Sequence, residues 1–287
     1  MSALSMRSLS TRSWLGRPLV SLLVATVGYG LTFWAWTLIG PLGWAPERQP
    51  GVGEGPLMLL AALTVVVGSV GRIPVGMMTD QYGARVLLPA ISVAAALAVL
   101  TLAVVDSGSA LGALAVALGV AGTTFAAGSA LVVRAYPPAQ RGMALSMFGA
   151  GMGIASAAAL LSRQYFTVER RDGLLVLALS LVGYTALAAV LVRDRPDRRS
   201  WRGGHWRIGL GVLRLPATRY LSAWYAIAFG GLVALGLYLP AYLRHVYHLP
   251  GNRAVLVTAA CLTVAATSRP VGGWLCQRQD PVPVLRA

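Results

Sequence analysis

The 287-residue chain is 56% hydrophobic and only 11% charged, with a mean hydropathy of +0.68, whereas soluble domains carry roughly a quarter charged residues. Its 24 basic residues are all arginine, against nine acids, for a formal charge of +15. The arginines are scattered between apolar runs and gathered on no single face, which argues against a nucleic-acid partner and for an integral membrane protein with a positive-inside bias.

About 20 apolar residues cross a bilayer core as a helix. Residues 1–17 read as a cytoplasmic tail: the charge there resembles a signal peptide, but the apolar run that follows is too long and no small-residue cleavage site ends it. Spans are then predicted at 18–40, 56–78, 86–105, 109–133, 142–163 and 173–192, an N-terminal six-helix bundle over 18–192. A basic cytoplasmic linker follows at 193–218; its WRIGLGVLRL portion reads either as an amphipathic surface helix or as an ordinary solvated linker. Two more spans, 219–242 and 254–276, make 219–287 a partial second bundle, so the expected architecture is all-α with about eight transmembrane helices.

With the N-terminus inside, the tail and inner loops hold sixteen arginines and the outer loops six, which fixes the expected orientation. The remaining two, Arg72 and Arg269, lie within spans. An arginine at the bilayer centre costs at least ~3 kcal/mol even on insertion scales, so each demands a reason. An internal repeat supplies one: GRIPVG at 71–76 and SRPVGG at 268–273 align at a shift of 197, placing Arg72 on Arg269 and Gly76 on Gly273. Each arginine lies six or seven residues from the expected cytoplasmic end of its span, roughly 10 Å by helix rise. Two guanidiniums facing one cavity repel unless an anion lies between them, and a planar oxyanion suits their fork geometry. No acid lies deep in any expected span, which favours an anion over a cation as cargo. The alternative is that each arginine snorkels to the cytoplasmic headgroups.

In GMMTDQYGAR, residues 76–85, Gly76 permits close helix packing, Gly83 allows a tight turn, and Asp80 at the membrane edge needs a cationic or helix N-terminal partner. The segment resembles the signature between the second and third helices of the major facilitator superfamily, ending here at Arg85, with Gln81 and Ala84 where basic residues are usual. The resemblance implies Arg134 as the partner of Asp80.

FWAWTLIGPLG at 33–43, GVAGTTFAAGSALVVRAYPPAQRGMALSMFGAGMGIASA at 119–157 and FGGLVALGLYLPAYL at 229–243 resemble the NarK-type nitrate/nitrite porter family. That resemblance implies a secondary carrier working by alternating access, with Arg72 and Arg269 gripping nitrate or nitrite. It also implies that the glycine-rich fifth span, at Gly149 and Gly151, brings backbone close to the anion. The family pattern has an asparagine in this stretch, and Met152 or a neighbour stands there instead. Small-residue helix packing is the simpler role for these glycines. Phe125, with Phe33, Trp34 and Trp36, either stacks on a planar anion or lines helix interfaces.

His245 and His248 form an H-x-x-H pair without further ligands, so no metal site is expected. Cys261 and Cys276 are 15 residues apart on one expected helix, about 22 Å, beyond disulfide reach. No phosphate-binding loop, nucleophile elbow or zinc motif is found, so neither enzyme nor cofactor is expected. The partners expected are the lipid bilayer and the anion, with protons as a candidate coupling ion and no nucleic acid. The location expected is the inner cell membrane. The final residues lead out of the eighth span, which gives the expectation of a porter shortened after that helix; the alternative is a non-transporting remnant or interaction subunit.

Overall fold

The computed structural model of the chain describes residues 5–39, 54–104, 108–168, 170–193, 211–212 and 214–279. Ten long helices follow in order among them: α1 (Ser5–Trp36), α2 (Glu54–Val70), α3 (Arg72–Tyr82), α4 (Ala84–Val104), α5 (Gly108–Ala121), α6 (Thr124–Ala135), α7 (Pro138–Val168), α8 (Arg170–Leu191), α9 (Pro216–Val246) and α10 (Gly251–Arg278). Eight stretches are long and apolar enough to cross a membrane, and they coincide with the eight expected spans. The expected linker lies mostly outside the described residues. Residues 5–17 of the expected tail are helical and continue into the first span through Pro18.

Two of the eight stretches are interrupted, which continuous hydropathy does not reveal. The second, Met58–Tyr82, consists of α2 and α3, parted at Gly71. Pro74 has no N–H to offer the carbonyl of Val70 and its ring crowds that carbonyl, so the helix breaks one residue further on. The fourth, Ala110–Ala135, is parted at Gly122 and Thr123. There the backbone tightens to three-residue bonds, Gly122 N–H to the Gly119 carbonyl at 3.0 Å and Thr123 N–H to the Val120 carbonyl at 3.0 Å. The hydroxyls of Thr123 and Thr124 donate back to the carbonyls of Val120 and Ala121 at 2.6 and 2.9 Å, competing with the regular ladder. The two breaks face each other, since a Cβ on Gly71 would stand 2.8 Å from Thr123 Cγ2.

The main core joins α1 and α4 to α8 through fully buried side chains such as Tyr29, Leu88, Val99, Leu118, Phe148 and Leu181. In lipid, such packing rests on van der Waals fit and small residues at the crossings. α10 runs antiparallel to α7 on this principle: Gly273 lies against Ser146, Arg269 against Gly149 and Ala266 against Gly153. α9 packs on α10 where Leu262 Cδ1 comes within 3.5 Å of the Cβ position of Gly236. The outward faces of α9 and α10 carry Trp224, Ile227, Leu235, Val264 and Val271, an apolar exterior suited to acyl chains.

Candidate functional site

Arg72 opens α3, ten residues before its end at Tyr82, so it sits deeper than the expected span boundary implied. Its Cζ lies 4.4 Å from the ring centroid of Phe229 on α9 and 5.0 Å from that of Phe125 on α6. Cation–π attraction of this kind reaches ~2 kcal/mol when the cation is desolvated, which offsets part of the cost of its depth. Nε donates to the carbonyl of Gly122, freed by the break in the fourth span, at 3.4 Å. Nη2 is buried and has no hydrogen-bond partner.

Arg269 lies nine residues before the end of α10 at Arg278. Its Nη1 stands 3.1 Å from the point where a Cβ on Gly149 would be, so the bare backbone of α7 lets the guanidinium approach. Tyr29 and Tyr225 both pack on Phe125, the ring that faces the Arg72 guanidinium. Among the described residues no carboxylate pairs with either arginine.

Aromatic rings wall this space. Tyr225 stacks on Phe229 at 5.4 Å with 9° between planes, and meets Phe125 at 5.6 Å. Tyr29 meets Phe125 at 5.5 Å and Phe148 at 5.1 Å. Trp36 backs Phe229 at 6.4 Å and 21°, with its Nε1 donating to the Thr64 carbonyl at 2.9 Å. Beyond Trp36 an apolar cavity opens between Phe33, Ala61, Val65, Leu232 and Leu262.

Of the residues singled out from sequence, Arg72, Arg269, Phe125 and Gly149 come together here. Gly151 does not join them: it faces Thr26 of α1, whose Cγ2 lies 2.6 Å from its Cβ position. Two residues along a helix is a turn of about 200°, so glycines 149 and 151 point to opposite sides. Met152 is fully buried in the core.

The signature residues gather at one end of α3. Arg134 Nη2 and Asp80 Oδ1 form an ion pair at 2.6 Å. Gly83 has φ 89°, a left-handed conformation that glycine takes without strain, and it turns α3 into α4. Arg85 is exposed in the first turn of α4. Gly76 is 4.0 Å from Ala126 Cβ by its Cβ position, an ordinary contact with room for a methyl group.

Sequence reading missed Tyr29, Tyr225 and Phe229. A signal for them exists: Y-x-x-x-F occurs at Tyr29 and Phe33 and again at Tyr225 and Phe229, a shift of 196 beside the 197 of the arginines.

Comparison with known proteins identifies the family. Residues 16–287 match the model of the Major Facilitator Superfamily. The probable nitrate/nitrite transporter NarK2 of Mycobacterium tuberculosis is 36% identical over 273 residues, covering 93% of this chain and 69% of its own length. The probable nitrate/nitrite antiporter NarK1 of Thermus thermophilus is 29% identical, with 89% of this chain and 60% of its own length covered. The nitrite extrusion protein of Bacillus subtilis is 28% identical, with 88% and 64% covered. The chain therefore spans about two thirds of the length of these relatives. It is a multi-pass membrane protein that belongs to the Major Facilitator Superfamily, among the NarK-type porters.

Proposed function

We propose that this chain carries nitrate or nitrite across the cell membrane as a secondary transporter, with the anion held between Arg72 and Arg269. The observation that carries the reading is a pair of arginines at equivalent places of the repeat, Arg72 faced by the rings of Phe125 and Phe229 and Arg269 admitted by Gly149 of α7, with no carboxylate paired to either among the described residues. A planar oxyanion satisfies both guanidinium forks and relieves their repulsion, which a cationic cargo would increase. The buried, unpartnered Nη2 of Arg72 supplies a donor for such an anion. The printed names of the relatives support the same cargo.

Phe125 and Phe229 grip the Arg72 guanidinium by its faces and leave its edge for the anion. Gly149 gives Arg269 its approach. The bundle of residues 18–192 and the unit of 219–287 rock about this site, joined by the basic linker 193–218 and with the N-terminus cytoplasmic. The ion pair of Asp80 and Arg134 ties α3 to α6 at the cytoplasmic side as that motion proceeds. With protons as the coupling ion, the group that carries them is one other than Arg72 and Arg269, which stay charged.

The test is uptake of labelled nitrate and nitrite into proteoliposomes holding the 287-residue chain, beside Arg72→Ala and Arg269→Ala. Saturable uptake lost in either variant is the expected result. A correctly inserted wild-type chain that moves and binds neither anion would refute the proposal.

A further inference from the structure

We infer that the Tyr29 hydroxyl is a direct donor to the bound oxyanion, a third ligand group supplied by α1. This deepens the anion reading given above and rests on it. Tyr29 is fully buried, yet its hydroxyl has no hydrogen-bond partner. A buried hydroxyl without an acceptor costs about 1–3 kcal/mol, so a site that leaves one in place calls for a reason. Its surroundings supply one. The ring packs against Phe33, Phe125 and Phe148 at 5.8, 5.5 and 5.1 Å, and Phe125 is one of the two rings facing the Arg72 guanidinium. Tyr225 packs on the same Phe125 ring at 5.6 Å, so both phenols flank the ring that faces Arg72.

The repeat strengthens the assignment. Tyr29 and Tyr225 occupy equivalent places in the Y-x-x-x-F pattern of the two units, and Tyr225 stacks on Phe229, whose ring faces the Arg72 guanidinium. Each repeat unit thus contributes one such tyrosine and one arginine. The phenol donates its O–H to an anion oxygen and keeps its proton, so the step needs no change of charge.

Tyr184 on α8 separates this role from simple burial. It too is buried with an unpartnered hydroxyl, but it lies against Gly28 on another side of α1.

The experiment is titration of the purified full chain with nitrate by calorimetry, together with melting of the anion-free protein, for wild type, Tyr29→Phe and Tyr184→Phe. Tyr29→Phe keeps every ring contact and removes only the hydroxyl. The expected result is nitrate affinity weakened at least about tenfold, the scale of a lost bond to a charged acceptor, with the anion-free melting temperature unchanged or raised. Tyr184→Phe is expected to bind as wild type does. Wild-type binding with Tyr29→Phe within about twofold of it would overturn this inference and leave the anion reading standing, since a twofold change is below the worth of one such bond. Absence of nitrate binding by the folded wild type would overturn both.

Discussion

Arg72 donates through Nε to the main-chain carbonyl of Gly122 at 3.4 Å, and the two residues belong to the two helix breaks of the protein's first six spans. At Gly71 the chain loses only the bond that Pro74 cannot make, with Gly71 N–H still on the Val67 carbonyl at 2.9 Å and Val75 N–H on the Gly71 carbonyl at 3.1 Å, whereas the break at Gly122 and Thr123 exposes a carbonyl that an unbroken helix would have used. Irregular backbone at membrane depth is tolerated where it is buried in protein or lines a cavity, and here it orients a cation.

Replacing Arg72 by lysine keeps the charge, and an ammonium can still face the rings of Phe125 and Phe229, but the guanidinium fork and the Nε bond to the Gly122 carbonyl are lost. Arg72→Lys is therefore expected to lower nitrate uptake by about tenfold or more, the worth of one hydrogen bond to a charged group being about 1.5–3 kcal/mol. Uptake kinetics in proteoliposomes check this; wild-type rates in the lysine variant would show that charge alone suffices.

Glycines 149 and 151 are expected to separate affinity from stability. A methyl group at 149 would meet Arg269 Nη1 at 3.1 Å and displace it, weakening anion binding with little effect on melting. At 151 it would meet Thr26 Cγ2 at 2.6 Å and the Thr26 carbonyl at 3.2 Å, overpacking α1 against α7 at a cost of about 1–3 kcal/mol. Nitrate titration and thermal melting of Gly149→Ala and Gly151→Ala would have to give opposite patterns; equal effects on both readouts would refute the distinction.

The ion pair of Asp80 and Arg134 is short, but its side chains are 66% and 35% exposed. A double-mutant cycle with Asp80→Asn and Arg134→Gln is expected to give a coupling of only about 0.2–1 kcal/mol in stability. A larger effect on maximal uptake rate than on melting would place its role in the conformational cycle. Stability coupling well above that range would mean that the pair is a structural clamp.

The antiparallel register of α7 and α10 can be read directly. A Cβ on Gly273 would lie 2.7 Å from the Cβ of Ser146, closer than the roughly 3.5–4.5 Å of a relaxed disulfide, so cysteines at these two positions bridge once the helices ease apart by about 1 Å. In a background with Cys261→Ser and Cys276→Ser, the pair Ser146→Cys and Gly273→Cys is expected to cross-link on mild oxidation, detected after proteolysis between the two helices. A pair at 146 and 266, the latter seven residues and about two turns along α10 from 273, is expected not to.

The number and placement of the spans were legible in the sequence because a bilayer imposes a length and a composition on each crossing, and both are properties of a single segment. Arg72 and Arg269 stood out for the same reason: a guanidinium within an apolar run is costly wherever the helix turns it. The end of α3 was legible as well, since Gly83 and Asp80 carry their constraints locally, and the resemblance named Arg134 beside them. Tertiary structure alone decided which glycine meets Arg269, because residues 149 and 151 share a segment and a chemistry and differ only in the side of α7 they occupy. It likewise decided that Tyr29, Tyr225 and Phe229 stand around the arginines, since their ring contacts join α1, α6 and α9. The breaks at Gly71 and Gly122 fall between these cases. Pro74 and the two threonines weaken the helix locally, but only packing brings the breaks together and gives the freed carbonyl of Gly122 its arginine.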